Sequence, residues 1–293
     1  MKEKLIVGFG EALWDMLPEG RKIGGAPANF AYHVSQFGFS SCVVSAVGND
    51  PLGDGIVADF EAKGLRSVVE RVQFPTGTVE IELDSAGVPR YDIKEGAAWD
   101  NIPYTARLEE LAASTKAVCF GSLVQRTEVS RGTLAKFLDA MPQDGSVLVV
   151  FDINMRQNFY SREVVCESLS RCNILKLNDE ELELITPMLG LPGDSVEERC
   201  RAIIGEYGLK MLVLTCGVNG SYVFSADAQS FLPTPKVEVA DTVGAGDSFT
   251  ATFVASLLRG FDMAEAHRRA VAVSAFVCSQ KGAMPVLPDE YKL

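Results

Sequence analysis

Apolar residues along this chain keep two rhythms. Short, nearly continuous apolar runs, LIVGFG (5–10), CVVSAVG (42–48), KAVCFGSL (116–123), VLVVFDIN (147–154), NILKLN (173–178) and MLVLTCG (211–217), read as strands buried on both faces. Between them APANFAYHVSQFG, LGDGIVADFEAKG, SRGTLAKFLDAMP and SVEERCRAIIGEYG read as helices, several closing on a glycine. Two more apolar helices, at 244–258 and 264–279, end the chain and are separated by RGFD. Strand and helix in alternation predict an α/β fold, with a doubly wound, mostly parallel sheet flanked by helices. Ligands of such a sheet sit at the carboxyl ends of its strands.

One segment departs from that rhythm. From Phe74 to Ile93 apolar and polar residues alternate around a Gly-containing turn, which predicts a hairpin with one wet face. A length of 293 residues suits one large domain with an appendage. The expectation is therefore a single domain over 1–293 whose small β-lid is formed by about 12–23 and 74–100. Such a lid can cover a substrate or pair with a second copy in a homodimer, and a merely ornamental hairpin has the same pattern.

Charge narrows the partners. With 39 acidic against 27 basic residues the formal net charge is −12, and no Lys/Arg cluster concentrates positive potential. Nucleic acid and anionic membrane are poor partners, and a phosphate site has to rely on backbone dipoles or a metal ion. The seven cysteines are odd in number and show no C-x-x-C spacing, which suits a reducing compartment and no zinc. The apolar start is too brief for a signal peptide, so a cytoplasmic location is expected.

Familiar catalytic motifs fail one by one. No Gly-Lys dipeptide exists to build a Walker A loop, and in GFGEAL Leu13 stands where a dinucleotide fingerprint needs its third glycine. GDSFT, from Gly246, has Thr250 where a nucleophile elbow needs glycine, and His33 and His267 are the chain's two histidines. Both read as ordinary core or surface residues.

DTVGAGDSFT (241–250) is different. Gly244, Ala245 and Gly246 precede a helix, where consecutive N–H groups can converge into an anion hole. Asp247 beside them would repel a resting phosphate, which points to a general base that takes a hydroxyl proton during phosphoryl transfer. A tight turn followed by an acid in the first turn of a helix explains the same residues without chemistry. Three further stretches bear on the choice. GGAPANF (24–30) is a second glycine turn entering a helix, with Asn29 able to donate and accept toward a polyol or else to face solvent. KLNDEEL (176–182) places Asn178 and Glu181 three apart just past a strand, suited to hydrated Mg²⁺ and phosphate or to a helix cap. LTCGVNGS (214–221) ends another strand with Gly217 and Gly220, suited to a nucleotide or to a plain hairpin.

Taken together, GGAPANF, NDEE and DTVGAGDSF resemble the signatures of the PfkB carbohydrate kinases of the ribokinase family, over nearly the whole chain. The resemblance implies a sheet flanked by helices with a β-lid over the sugar. It makes Asp247 the catalytic base with the Gly244, Ala245 and Gly246 amides as anion hole. Asp15, Gly25 and Asn29 would bind sugar hydroxyls, while Asn178, Thr215, Gly217 and Gly220 would serve ATP. Glu181 would order Mg²⁺ through water, and Asp241 and Val243 would be candidates to bind K⁺. GEALWDMLPEG, AAWDNI and FDINMR look most like the bacterial fructokinase branch, in which the arginine matching Arg156 lies near the sugar pocket. Fructose is the expected acceptor, with 2-keto-3-deoxygluconate, ribose, a nucleoside, or a non-catalytic sensor as alternatives. Trp14 and Trp99 suit either lid packing or sugar contact. Ile153 departs from a frequent proline, and Cys216, Val218 and Asn219 vary the nucleotide turn.

Overall fold

The computed structural model describes residues 5–17, 20–83 and 89–292, with the backbone alone at 81–83 and 89–91. In chain order the strands and helices begin with β1 (Leu5–Phe9), β2 (Leu13–Leu17), β3 (Gly20–Gly24), α1 (Ala26–Gln36), β4 (Ser40–Gly48), α2 (Pro51–Ala62) and β5 (Arg66–Val72). There follow β6 (Gly77–Leu83), β7 (Pro89–Ile93), α3 (Ala106–Ser114), β8 (Thr115–Phe120), α4 (Glu128–Ala140), β9 (Leu148–Asp152), α5 (Arg162–Arg171) and β10 (Ile174–Asn178). The last are α6 (Asp179–Leu189), α7 (Val196–Tyr207), β11 (Met211–Thr215), β12 (Ser221–Phe224), β13 (Gln229–Leu232), α8 (Ala245–Arg259) and α9 (Met263–Cys278).

Nine strands form one sheet in the order β13-β12-β11-β10-β9-β8-β1-β4-β5. All its pairs are parallel except β11 with β12 and β12 with β13. Consecutive residues of β1 explain the layering, because their side chains alternate between faces. Val7 and Phe9 join Phe137, Leu169, Leu182 and Ile203 from α4 to α7, whereas Ile6 joins Phe30 of α1 and Val254 of α8. A strand covered on both sides needs no polar position, which is why these runs read so clearly as strands.

From β1 the chain winds outward to β4 and β5, then returns to β8 and winds the other way through β9, β10 and β11. The reversal between β1 and β8 opens a crevice at their carboxyl ends, where such sheets bind ligands. A separate four-stranded sheet, β3-β2-β6-β7, is built from the two stretches expected to form the lid, the second of them flagged by its alternation. The Gly-containing turn expected between β6 and β7 lies outside the described residues, as do Pro18 and Glu19.

Several open choices close here. Trp99 is fully buried and Trp14 nearly so, its indole N–H donating to the Leu52 carbonyl, so both pack in the core rather than face a ligand. His33 and His267 are also fully buried, and burial holds each imidazole neutral by pushing its pKa down to about 4. His33 bonds the Ala283 carbonyl, and His267 bonds Ser221 and Ser230, so each is structural. All seven cysteines are free. Among the described residues no helix is long and apolar enough to cross a membrane.

Candidate active site

The N-termini of α1 and α8 converge on the crevice. Entry into α1 requires glycine, since Gly25 has φ +120° and a Cβ there would lie 2.4 Å from the Glu11 carbonyl oxygen. Gly244, the residue before α8, has φ +79°, and a Cβ on it would collide with Ala283. These two turns bring together residues far apart in sequence. Asn29 on α1 donates its side-chain N–H to Asp247 Oδ2 on α8 at 2.8 Å. At 4% exposure Asn29 is no solvated helix residue, and the reading that left it facing water is corrected.

Asp247 is half-buried in the first turn of α8. Burial pushes its carboxyl up to about 6, and the Asp152 charge pushes the same way. The Asn29 N–H, Lys176 and Arg156 pull it back. A base of that strength is ionised near neutral pH yet takes a proton readily.

Below Asp247 lies a buried ion pair. Lys176 on β10 reaches Asp152 Oδ1, at the end of β9, at 3.0 Å, and Thr250 on α8 donates to Asp152 Oδ2 at 3.0 Å. Burial, which disfavours a charged amine, is outweighed by Asp152 and Glu181, so the Lys176 pKa is raised. Its ammonium lies close under Gly246, 3.2 Å from where a Cβ would stand. A phosphate at the α8 N-terminus would thus meet a fixed cation as well as backbone dipoles. A single buried lysine makes no cluster in sequence, so the expectation of a phosphate site on dipoles or a metal did not include Lys176. Of the three anion-hole amides, Ala245 turns its N–H back to the Thr242 carbonyl at 3.3 Å.

Glu11, just beyond β1, completes this end of the cleft. It is 4% exposed, accepts the Ala26 N–H at 3.2 Å, and burial pushes its carboxyl up to about 7. Glu11, Cys119, Gly121, Asp152, Asn154 and Asp247 line an open cleft. Sequence reasoning missed Glu11, Asp152 and Lys176. The one signal was that Glu11 and Asp152 stand at strand carboxyl ends and Lys176 interrupts an apolar strand, which by itself does not distinguish them from solvated charges.

The remaining candidates spread outward. Asp15 sits on β2 in the small sheet with its carboxylate against Gly24, and burial raises its pKa. Arg156 is exposed, but its charge reaches both Glu11 and Asp247. Asn178 is not a helix-face residue. It caps α6, accepting the Glu181 N–H while Glu181 Oε2 accepts the Asn178 N–H, a capping box. The other Glu181 oxygen accepts the Met155 N–H, and burial raises the pKa of this carboxyl. Thr215 stands beside Asn178 in register, and Gly217 and Gly220 do form the turn of the β11–β12 hairpin. Asp241 accepts the Val243 and Gly282 N–H groups, tying the approach to α8 onto the chain's last loop. Among the described residues no three His, Cys, Asp or Glu side chains are grouped to hold a metal ion.

Two glycine turns that aim helix N-termini at a half-buried carboxylate, over a sheet's switch point, are the parts of a group-transfer site. Residues 19–290 match the model of the pfkB family of carbohydrate kinases, and the chain belongs to that family. It is 29% identical over 301 residues to the ATP-dependent 6-phosphofructokinase of Thermoanaerobacterium thermosaccharolyticum, covering 97% of this chain and 91% of that protein. Fructokinase-1 of Oryza sativa subsp. japonica is 26% identical over 319 residues, covering 100% and 97%. Among solved structures, fructokinase with bound ATP from Xylella fastidiosa superposes with a TM-score of 0.83 at 23% identity, covering 98% and 96%. A fructokinase double mutant from Vibrio cholerae O395, with fructose, ADP and potassium bound, gives 0.81 at 23% identity over the same shares. These similarities show the ribokinase-like fold.

Proposed function

We propose that this protein transfers the γ-phosphoryl group of ATP to a hydroxyl of a sugar, with fructose, phosphorylated at C6, as the acceptor. The observation that carries the reading is Asp247, held by Asn29 at the N-terminus of α8 with Lys176 beneath it. Its carboxylate takes the acceptor hydroxyl's proton as the new O–P bond forms and the bond from the γ-phosphorus to the bridging oxygen breaks, releasing ADP. The N–H groups of Gly244 and Gly246 and the Lys176 ammonium offset the negative charge on the phosphoryl oxygens. Because Ala245 turns its N–H toward Thr242, it contributes mainly by shaping the turn.

Asp15, Gly25 and Arg156 are assigned to the sugar. Asn178, Thr215, Gly217 and Gly220 are assigned to the nucleotide, on strand ends that lie side by side. Mg²⁺ fits this donor set as an ion held by phosphates and water rather than by a protein cage. Glu181 already serves two amides, yet each carboxylate oxygen keeps a lone pair for a metal-bound water. When bound, Mg²⁺ would neutralise phosphate charge. The 241–243 turn is the proposed K⁺ site, on the likeness to the potassium-bound Vibrio enzyme. The four-stranded sheet serves as a lid of one functional unit, and its outer face as the contact of a homodimer. A reducing, cytoplasmic setting suits the seven free thiols.

The test is ATP turnover against fructose, ribose, 2-keto-3-deoxygluconate, adenosine and fructose 6-phosphate, with Mg²⁺ and with or without K⁺. Fructose-dependent turnover supports the assignment. Turnover of another acceptor keeps the reaction and replaces the sugar; silence on all five removes the reading. Light scattering checks the dimer, which a strictly monomeric mass would refute.

A further inference from the structure

After β7 the small sheet hands the chain back to the body through 94–102, and one side chain holds that exit. Arg126, between β8 and α4, has a side chain 4% exposed and grips Asp100, itself 1% exposed, with two bonds. Nε reaches Oδ1 at 2.7 Å and Nη2 reaches Oδ2 at 2.8 Å, the two-pronged geometry that a guanidinium gives a carboxylate. Nη2 also donates to the carbonyl of Lys94, the residue after β7, at 2.7 Å. Asp100 in turn accepts the Ala97 N–H at 2.9 Å, and its carbonyl accepts the Thr127 hydroxyl. The guanidinium lies over the Trp99 ring at 4.0 Å and over the Phe159 ring at 4.5 Å. Trp99 belongs to the exit, whereas Phe159 belongs to the loop that follows β9, so one cation touches two segments that are far apart in sequence.

That loop carries Asn154, which lines the cleft, and Arg156, whose charge reaches Asp247 and Glu11. Asn154 has φ +42° and Gln157 φ +49°, the two positive-φ residues other than glycine among those described. Such backbone costs energy and persists where its neighbours fix it. The Met155 N–H bond to Glu181 fixes the start of the loop, and the contact of Phe159 with Arg126 fixes its far end. On the kinase reading above, we propose that Arg126 is a positioning residue for the sugar. It locks the lid's exit and the Arg156 loop into one frame, so that lid and loop face the sugar at one fixed spacing. A lysine in its place keeps the charge but neither the fork nor the flat face that stacks. The lid's other crossing is held separately, by the Thr76 N–H and hydroxyl on Asp50 at 2.9 and 2.7 Å. A change at Arg126 therefore loosens the exit without detaching the lid.

The experiment compares wild type, Arg126→Lys and Phe159→Leu by steady-state kinetics on the accepted sugar and by amide hydrogen exchange. In Arg126→Lys the sugar KM should rise about tenfold, with kcat within about threefold and the ATP KM within about twofold of wild type. Phe159→Leu keeps the Asp100 pair and removes the stack, so its sugar KM should rise less, by about threefold. A sugar KM unchanged in Arg126→Lys, or an ATP KM that rises equally, would make Arg126 a general stabiliser of the core and overturn the proposal. Should Arg126→Lys fail to fold, Phe159→Leu decides alone, and a wild-type sugar KM in it would overturn the proposal. Exchange reads the frame without turnover. The Ala97 and Ala98 amides of the exit and the Phe159 amide of the loop are all hydrogen-bonded. Each should exchange about tenfold faster in Arg126→Lys, with the amides of β10 and β11 unmoved. Faster exchange at the exit alone would show that the clamp does not reach the loop, and would overturn the proposal. Faster exchange at both, with no turnover of any acceptor on the panel, would leave the frame standing and the kinase reading refuted.

Discussion

Around Asp247 almost every polar side chain is buried and held by a named partner: Asn29 by Asp247, Asp152 by Lys176 and Thr250, and Glu11 by the Ala26 N–H. Around the β11–β12 hairpin the reverse holds. Val218 at its turn is 88% exposed, and Phe231 on β13 and Val237 and Val239 after it are exposed too. The first region fixes charges before a ligand arrives; the second offers backbone and apolar surface. Geometry for chemistry costs folding free energy, because charges are desolvated, whereas exposed apolar surface costs little and tolerates substitution. The two regions should therefore answer mutation differently.

The largest stability effect is expected at the buried pair. Lys176→Met leaves Asp152 buried without its cation and should destabilise by about 3–5 kcal/mol. Adding Asp152→Asn should recover part of that loss in denaturant titrations. A loss under about 1 kcal/mol in the single variant would mean that the Asp152–Lys176 pair is not desolvated as its burial implies.

A smaller effect of opposite sign is expected one layer up. Folding raises the Asp247 pKa from its ordinary 3.8 to about 6, so the folded state binds this proton more tightly than the unfolded one. The resulting penalty is absent below about pH 4 and grows as pH rises, to a full value of about 3 kcal/mol above pH 6. Asp247→Asn should therefore be more stable than wild type at pH 8, with the gain fading toward pH 4 in melts across that range. A gain that does not depend on pH would break the account. Least affected should be Val218→Ser, within about 0.5 kcal/mol of wild type, with any functional change in the ATP KM rather than in kcat.

How much of this was legible in the sequence follows the same division. The central strands were plain because burial on both faces leaves them apolar, as in LIVGF and MLVLT. Of the small sheet, the β6–β7 hairpin was legible because alternation marks one wet face, whereas β2 and β3 showed no such sign. Helices α3 and α5 were not read from ARLEELAAS and REVVCESLSR, whose short polar patterns set few apolar positions against the sheet. Asp247 and its glycines announced themselves because a turn, a backbone site and an acid are adjacent in sequence. Asn29 stood out as well, in the second glycine turn, but its pairing with Asp247 did not, because the two lie 218 residues apart; the Asp152–Lys176 pair likewise spans two strands, so these contacts depend on the fold that makes them.

The central claim, that the Asn29-held Asp247 is the proton acceptor of a sugar kinase, is tested most directly by turnover of Asp247→Asn beside wild type on the accepted sugar. ATP binding is followed by calorimetry in the same samples. The account predicts kcat lower by at least ~10²-fold with ATP affinity retained. Turnover equal to wild type in that variant would contradict it.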